Sequence, residues 1–218
     1  MQSADYAGLQ EVVRVEIDRF TTSALARRVD AGTVELSHYH AILCTLFHQT
    51  YAGPYSFARA AVRCEWKHEA AKDYLLRHAE EERSHWRWVL DDLAATGYAG
   101  ASPRALPPHP TCMAFVGLQG HLAEHHPVAR LASAAVLEGI GARFGGSYGG
   151  RMLQALRLEP RQATFFLSHG ETDKLHSVEL SEVLDQCRLT PEEWVWMNYA
   201  ATVTAQFYCA MYSHEAFQ

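Results

Sequence analysis

The stretch "HGETDKLH", residues 169–176, places His169, Asp173 and His176 at intervals of four and three residues. On a helix, positions i, i+4 and i+7 share one face, so these three side chains point the same way. They span roughly 10 Å of helix axis at a rise of about 1.5 Å per residue. Within the set, Asp173-x-x-His176 puts a carboxylate and an imidazole one turn apart. Further along the same segment come Leu175, Val178 and Leu180, so the stretch reads as part of a helix rather than a loop.

Working outward, the same device occurs earlier in the chain. In "HAEEERSH", residues 78–85, Glu82-x-x-His85 repeats the carboxylate–imidazole spacing. His78 lies one heptad before His85, and Glu81 lies near the same face. A third segment, "LASAAVLEGIGARF", carries a solitary acid, Glu138, among apolar and small residues. A buried carboxylate is costly unless it is paired or bound to a metal. Three helices can therefore each aim acid or imidazole at one point. Two carboxylate-x-x-His pairs plus inward carboxylates are the parts of a di-iron or di-manganese site in a helical bundle. Mixed His and carboxylate ligation leaves open positions on iron and suits O₂ activation. Closed zinc sites favour Cys, and no Cys stands at ligand spacing here.

Each motif alone has a plainer reading. "AEEERSH" can be a solvated charged face. His169 and Asp173 can be an i,i+4 surface pair. Glu138 can be a buried acid satisfied by Arg143 or Arg151. Together, the three segments favour a metal site.

The rest of the chain sets the frame. Its 218 residues are 48% hydrophobic, enough to bury a sizeable core. The apolar pattern is helical nearly throughout and no useful strand-like alternation occurs. Helical segments are expected over 9–28, from 34–35 to a break or kink at Pro54 with a continuation beyond it, over 67–96, 112–125, from Pro127 through GARFGGSYGG, from Pro160 to Cys187, and from Pro191 onward. Thr190 and Glu193 form a capping box at the last of these. GARFGGSYGG follows a helix, not a strand, and is expected to kink or end that helix near the pocket. The expected fold is all-α, a single-domain bundle of about seven helices spanning 1–218.

Net charge is −6 and no long basic run exists, which argues against nucleic acid as a partner. No stretch is long and apolar enough for a membrane span. Five scattered cysteines without a C-x-x-C suit a reducing compartment, and a cytoplasmic location is expected. Thirteen histidines are the compositional oddity.

The order of these helices and motifs resembles the heme-oxygenase-like diiron oxidases, relatives of TenA-type thiaminases and of the PQQ-synthesis protein PqqC. VELSHYHAILCTLFHQTY (34–51), HAEEERSHWRWVLDDLAATG (78–97), PVARLASAAVLEGIGARF (127–144) and the H-x-x-x-D-x-x-H of 169–176 carry the likeness, which covers nearly the whole chain. The resemblance implies a heme-oxygenase-like fold, two Fe(II) ions with the second bound weakly, and O₂ as co-substrate. It implies iron ligation by His85, Glu138, His169, Asp173 and His176. The ligand from the first motif stays open among Glu82, His78 and Glu81, because many members carry Glu where this chain has His78. It also implies a homodimer and a small-molecule substrate, an amino acid or fatty acid. Such a carboxylate would be anchored by an arginine such as Arg143 and lined by Phe47, Tyr51, Phe165 and Tyr208. Outcomes in the family include oxidative C–C cleavage, desaturation and N-oxygenation. Two other readings compete: a metal-free enzyme of the same fold acting on a thiamin-like or quinone precursor, and a non-enzymatic helical binding module. The last requires Glu138 to be paired with an arginine and the three motifs to lie apart.

Overall fold

The computed structural model describes residues 5–218, apart from the side chains of Gly170, Glu171 and Lys174. Among the described residues the chain is all-α, without a strand. The α-helices are α1 (Tyr6–Arg19), α2 (Ala24–Ala31), α3 (Leu36–Arg63), α4 (Glu69–Glu82), α5 (Trp86–Ala95), α6 (Pro110–His125), α7 (Ala129–Ile140), α8 (Gly146–Leu156), α9 (Thr164–Gln186) and α10 (Pro191–Met211). The helix count therefore exceeds the expected seven. The reason is that several expected segments are broken. Ser23 caps a fresh helix after Thr22, and residues 83–85 interrupt the expected 67–96 helix. A π-turn over Gly141–Gly145 joins α7 to α8.

At Pro54 the deviation runs the other way. The break expected there is absent, because α3 runs through it from Leu36 to Arg63. Proline removes one backbone donor from the helical ladder. Hydroxyls flank the defect: Thr50 donates to the Leu46 carbonyl at 2.8 Å and Ser56 to that of Gly53 at 2.8 Å. The capping box expected at Thr190 is present, with Thr190 N–H donating to Glu193 at 2.7 Å and Glu193 N–H to the Thr190 hydroxyl at 3.2 Å.

α10 lies against α1, α6 and α7, while α3 packs on α4, α5 and α6. α7 and α10 pack together and are rich in small buried residues, Ala132 and Ala134 on one and Ala200, Ala201 and Ala205 on the other. Small side chains let the two backbones approach closely. Within that seam Ser133 and Thr204 share a buried hydrogen bond of 2.8 Å, which fixes the rotation of α7 about its axis and hence the direction of Glu138. α9 closes the other side, against α4, α5, α7 and the π-turn.

The start of α9 is held by a carboxylate from a different helix. Fully buried Asp92 of α5 accepts from the Thr164 N–H at 2.8 Å and the Phe165 N–H at 2.9 Å, two donors that the first helical turn leaves unpaired. Burial pushes the Asp92 carboxyl up, and these amides pull it back. This clamp sets the register of α9, and with it His169, against α5. Replacing Asp92 by Ala strands both amides. We expect a loss of about 1–3 kcal/mol, roughly 3–10 °C in melting temperature, measurable by thermal circular dichroism. An unchanged melting temperature would show that the clamp carries no stability.

Candidate metal centre

The three motifs converge. Glu82 and His85 come from the junction of α4 and α5, Glu138 from the end of α7, and His169, Asp173 and His176 from α9; all are buried or nearly so. The expectation that Glu82-x-x-His85 sits on one continuous helix is corrected: Glu82 ends α4 and His85 precedes α5. Between them the backbone tightens to i→i+3 bonds, His85 N–H to Glu82 O at 3.2 Å and Trp88 N–H to His85 O at 3.1 Å. At about three residues per turn, positions i and i+3 eclipse. Glu82 Oε2 thus comes within 2.7 Å of His85 Nδ1.

Two triads result. In the first, Glu82, His85 and His169 bring ligand atoms within 4.8 Å of one another. In the second, Glu138, Asp173 and His176 do the same. Two carboxylates touch both. Glu82 lies 3.3 Å from His169 Nε2 through Oε2 and 3.8 Å from His176 Nδ1 through Oε1. Asp173 belongs to the second triad and places Oδ1 2.7 Å from His169 Nδ1 of the first. On the outer side His176 turns its Nε2 to the more exposed Glu81 at 3.2 Å. His78 stands 3.3 Å from Glu138 Oε1.

Several of these short approaches are not aligned hydrogen bonds. Glu82 Oε1, Asp173 Oδ1 and both ring nitrogens of His78 are buried without a hydrogen-bond partner. Buried polar atoms are rarely left so. Oxygen and nitrogen atoms that converge without a hydrogen aimed between them are arranged as ligands to a common cation would be. The donor set, carboxylate oxygen and imidazole nitrogen with open positions, fits iron or manganese and lacks the thiolates of a closed zinc site.

Neighbouring groups fix the rings. Trp88 stacks on His85 at 4.2 Å, Phe165 on His169 at 4.7 Å, and Tyr74 on His78 at 5.3 Å between centroids. Gly141, at the start of the π-turn, is required by contact: a Cβ there would lie 1.6 Å from Asp173 Oδ2. π-turns inside α-helices recur at functional sites, and this one leaves room for the Asp173 carboxylate.

The electrostatics are those of a site whose cations are supplied by protonated imidazoles. Burial pushes Glu138 up, but His176 and His78 outweigh it and hold the carboxyl at about 2. Glu82 is likewise held well below the usual range by His169 and His85 against the cost of burial. Burial, with Glu138 and Glu82 nearby, raises Asp173 to about 7 despite His169. For His176 burial acts downward, yet Glu138, Glu82 and Glu81 bring it up to about 9. His169 is raised well above its ordinary value by Asp173 and Glu82, again against burial.

Beside the centre lies a mostly apolar cavity of about 310 Å³ between α3, α6, α7, α8 and α10, with Glu82, Glu138, His169 and Asp173 on its wall. Phe165 and Tyr208 line it as expected. Three expected lining residues do not. Phe47 and Tyr51 stack on each other at 5.7 Å and against Trp86, away from the cavity. Arg143 is half-exposed and paired with Asp18, so it anchors nothing in the cavity. Arg151 pairs with Asp30 at 2.6 Å. Neither arginine reaches Glu138, whose partners are histidines. Two other arginines line the cavity: Arg59, largely exposed and 4.0 Å from Glu124, and Arg130, which is fully buried. Its sequence signal was a lone cation in the apolar run VARLASAAVLEGI. Elsewhere, His109, His214 and Glu215 also cluster. There the Nδ1 atoms of both histidines accept backbone N–H groups of Thr111 and Ala216, which is helix capping and not ligation.

Residues 41–205 match a family described as iron-containing redox enzymes. The chain belongs to that family. No curated relative matches it in sequence. Among solved structures the likeness is one of fold. A domain of unknown function with a heme oxygenase-like fold from Shewanella denitrificans superposes with a TM-score of 0.78 at 20% identity, covering 93% of this chain and 87% of that one. A TenA homolog from Pseudomonas syringae pv. tomato gives 0.77 at 14% identity, covering 94% and 89%. Heme oxygenase from Leptospira interrogans gives 0.74 at 16% identity, covering 98% and 99%. The fold is therefore heme-oxygenase-like. No described helix of this family member is long and apolar enough to cross a membrane.

The metal-free protein should lose stability as pH rises from about 6.5 to about 9. His176 has its folded value raised, so its contribution is complete below the ordinary imidazole value and is lost on passing through about 9. Asp173, raised to about 7, acts with the same sign at lower pH. Ligating imidazoles are neutral, so bound metal should flatten the slope and release protons on binding. Melting temperature against pH, with and without Fe(II), measures both; a flat apo profile would contradict the charge assignment.

Proposed function

We propose that this protein is a nonheme diiron, O₂-dependent oxidase or oxygenase acting on a small carboxylate substrate, an amino acid or a fatty acid, by oxidative C–C cleavage, desaturation or N-oxygenation. The carrying observation is that Glu82 and Asp173 each touch both triads. One ion needs one triad; two triads sharing two carboxylates suit a pair of ions. Glu82, His85 and His169 would hold one iron, and Glu138, Asp173 and His176 the other. Glu82 is the ligand from the first motif in this reading, with His78 supporting Glu138 and Glu81 at the rim beside His176. A haem iron asks the protein for an axial ligand, usually one imidazole, and gives no reason for three buried carboxylates beside three histidines.

Bound ferrous iron supplies the electrons for activating O₂. The chain does the rest. His169 and His176 give up protons when they become ligands. The apolar cavity excludes bulk water from the reacting carbon. Trp88 and Phe165 keep the imidazoles from turning. The protein works as a cytoplasmic homodimer in this reading.

Anaerobic titration should show close to two Fe(II) per chain in the native protein and about one or fewer in His176→Ala. O₂ consumption with candidate amino and fatty acids should fall by at least about a hundredfold in that variant. Equal uptake and equal turnover by both proteins would reject the proposal. Turnover without metal would favour the metal-free reading, and stoichiometric haem uptake a haem enzyme.

A further inference from the structure

We propose that Arg130 is the substrate anchor: it binds the carboxylate of an otherwise apolar molecule that occupies the cavity beside the metal centre. Arg130 is 1% exposed and lines that cavity. Its Nε and Nη2 both donate to Ser56 Oγ at 3.3 Å. Ser56 can accept both because its own hydrogen goes to the Gly53 carbonyl. Nη1 has no hydrogen-bond partner. No carboxylate forms an ion pair with this guanidinium among the described residues. A buried cationic donor left unpaired is among the costliest groups a fold can carry, and Arg130 stands in the wall of a cavity.

The position of the guanidinium suits a substrate anchor. Phe57 lies under the guanidinium, with Cζ 4.0 Å from the ring centroid, and presents its face edge-on to His78 at 4.5 Å. Ser56 and Phe57 therefore hold the fork on two sides and leave Nη1 for a ligand. The same ring links the anchor to His78 at the centre, and Arg130, Glu138 and Glu82 line one cavity. Much of the remaining lining, among it Ile42, Leu46, Phe115, Leu137 and Phe144, is apolar, while Gln49, Gln119 and the exposed Arg59 add polar groups. A free inorganic anion would leave that surface wet, whereas an alkyl chain covers it. The volume of about 310 Å³ holds on the order of ten water-sized groups, the size of an eight-carbon acid.

Charge balance points the same way, and this step rests on the diiron reading. Two ferrous ions against Glu81, Glu82, Glu138 and Asp173 leave the centre near neutral. Arg130 then remains as uncompensated positive charge until an anion enters. Burial pushes the guanidinium down to about 9, with Glu138 and Tyr74 opposing, so it stays cationic at neutral pH.

The test is calorimetric binding of octanoate, octan-1-ol and inorganic phosphate to the Fe(II)-loaded protein under argon, and to the same protein stripped by chelator. Native protein should prefer octanoate to octan-1-ol by about ten- to a hundredfold, the range of a charge-assisted hydrogen bond, with phosphate weak. Arg130→Met should abolish the preference while still taking up iron; Arg130→Lys should keep part of it. Should Arg130→Met fail to fold, Ser56→Ala, which frees the fork but keeps the charge, must weaken octanoate binding. No octanoate preference in native protein overturns the proposal, as does a preference that survives Arg130→Met or phosphate binding as well as octanoate. A preference that depends on iron and not on Arg130 overturns the anchor and leaves the diiron reading standing. An Arg130-dependent preference in a chain that takes up no iron does the reverse.

Discussion

The sharing of one buried carboxylate, Glu82, between His85 and His169 on one side and His176 on the other is the constraint around which the structure is built. A carboxylate removed from water requires compensating positive charge. Imidazolium provides it in the metal-free chain, and the raised values of His169 and His176 follow from that demand. The geometry that lets Glu82 serve both sides depends on the short 3₁₀-like turn at 83–85, which stacks His85 above it. A regular α-helix would offset the two side chains.

The scaffold around this carboxylate is correspondingly rigid. Asp92 clamps the start of α9, the Ser133–Thr204 bond fixes α7, and Gly141 leaves room for Asp173. None of these touches a ligand position directly except through packing or backbone. Together they fix how the helices that carry Glu82, Glu138 and His176 meet. The cluster itself is a cost to stability: it gathers acids and orphaned polar atoms inside an apolar bundle. Local rules broken together at one place usually mark function.

Much of the centre was legible in the sequence because helical periodicity is a strong constraint. Asp173 and His176 could only share a face with His169, and Glu138 stood out because seven residues before it and four after it are apolar or small. What stayed hidden was of another kind. Periodicity does not distinguish α from 3₁₀, so the interruption after Glu82 read as continuous helix. Pro54 read as a break or kink, because sequence alone does not show whether surrounding packing will carry a helix through a proline. α7 is apolar or small apart from Arg130, Ser133 and Glu138, and all three are buried, so no exposed polar face shows which way a given residue points. That is why Arg143, close to Glu138 in sequence, looked like the anchor while Arg130 passed unnoticed. Phe47 and Tyr51 failed for the same reason: aromatic character says that a ring is buried, and not against which neighbour.

Anomalous diffraction at the iron edge from crystals grown anaerobically with Fe(II) tests the central claim most directly. Two separate peaks are expected, one among Glu82, His85 and His169 and one among Glu138, Asp173 and His176, with Glu82 between them. Full-occupancy iron at a single position elsewhere in the chain, or no iron near Glu82 at saturating metal, would contradict it.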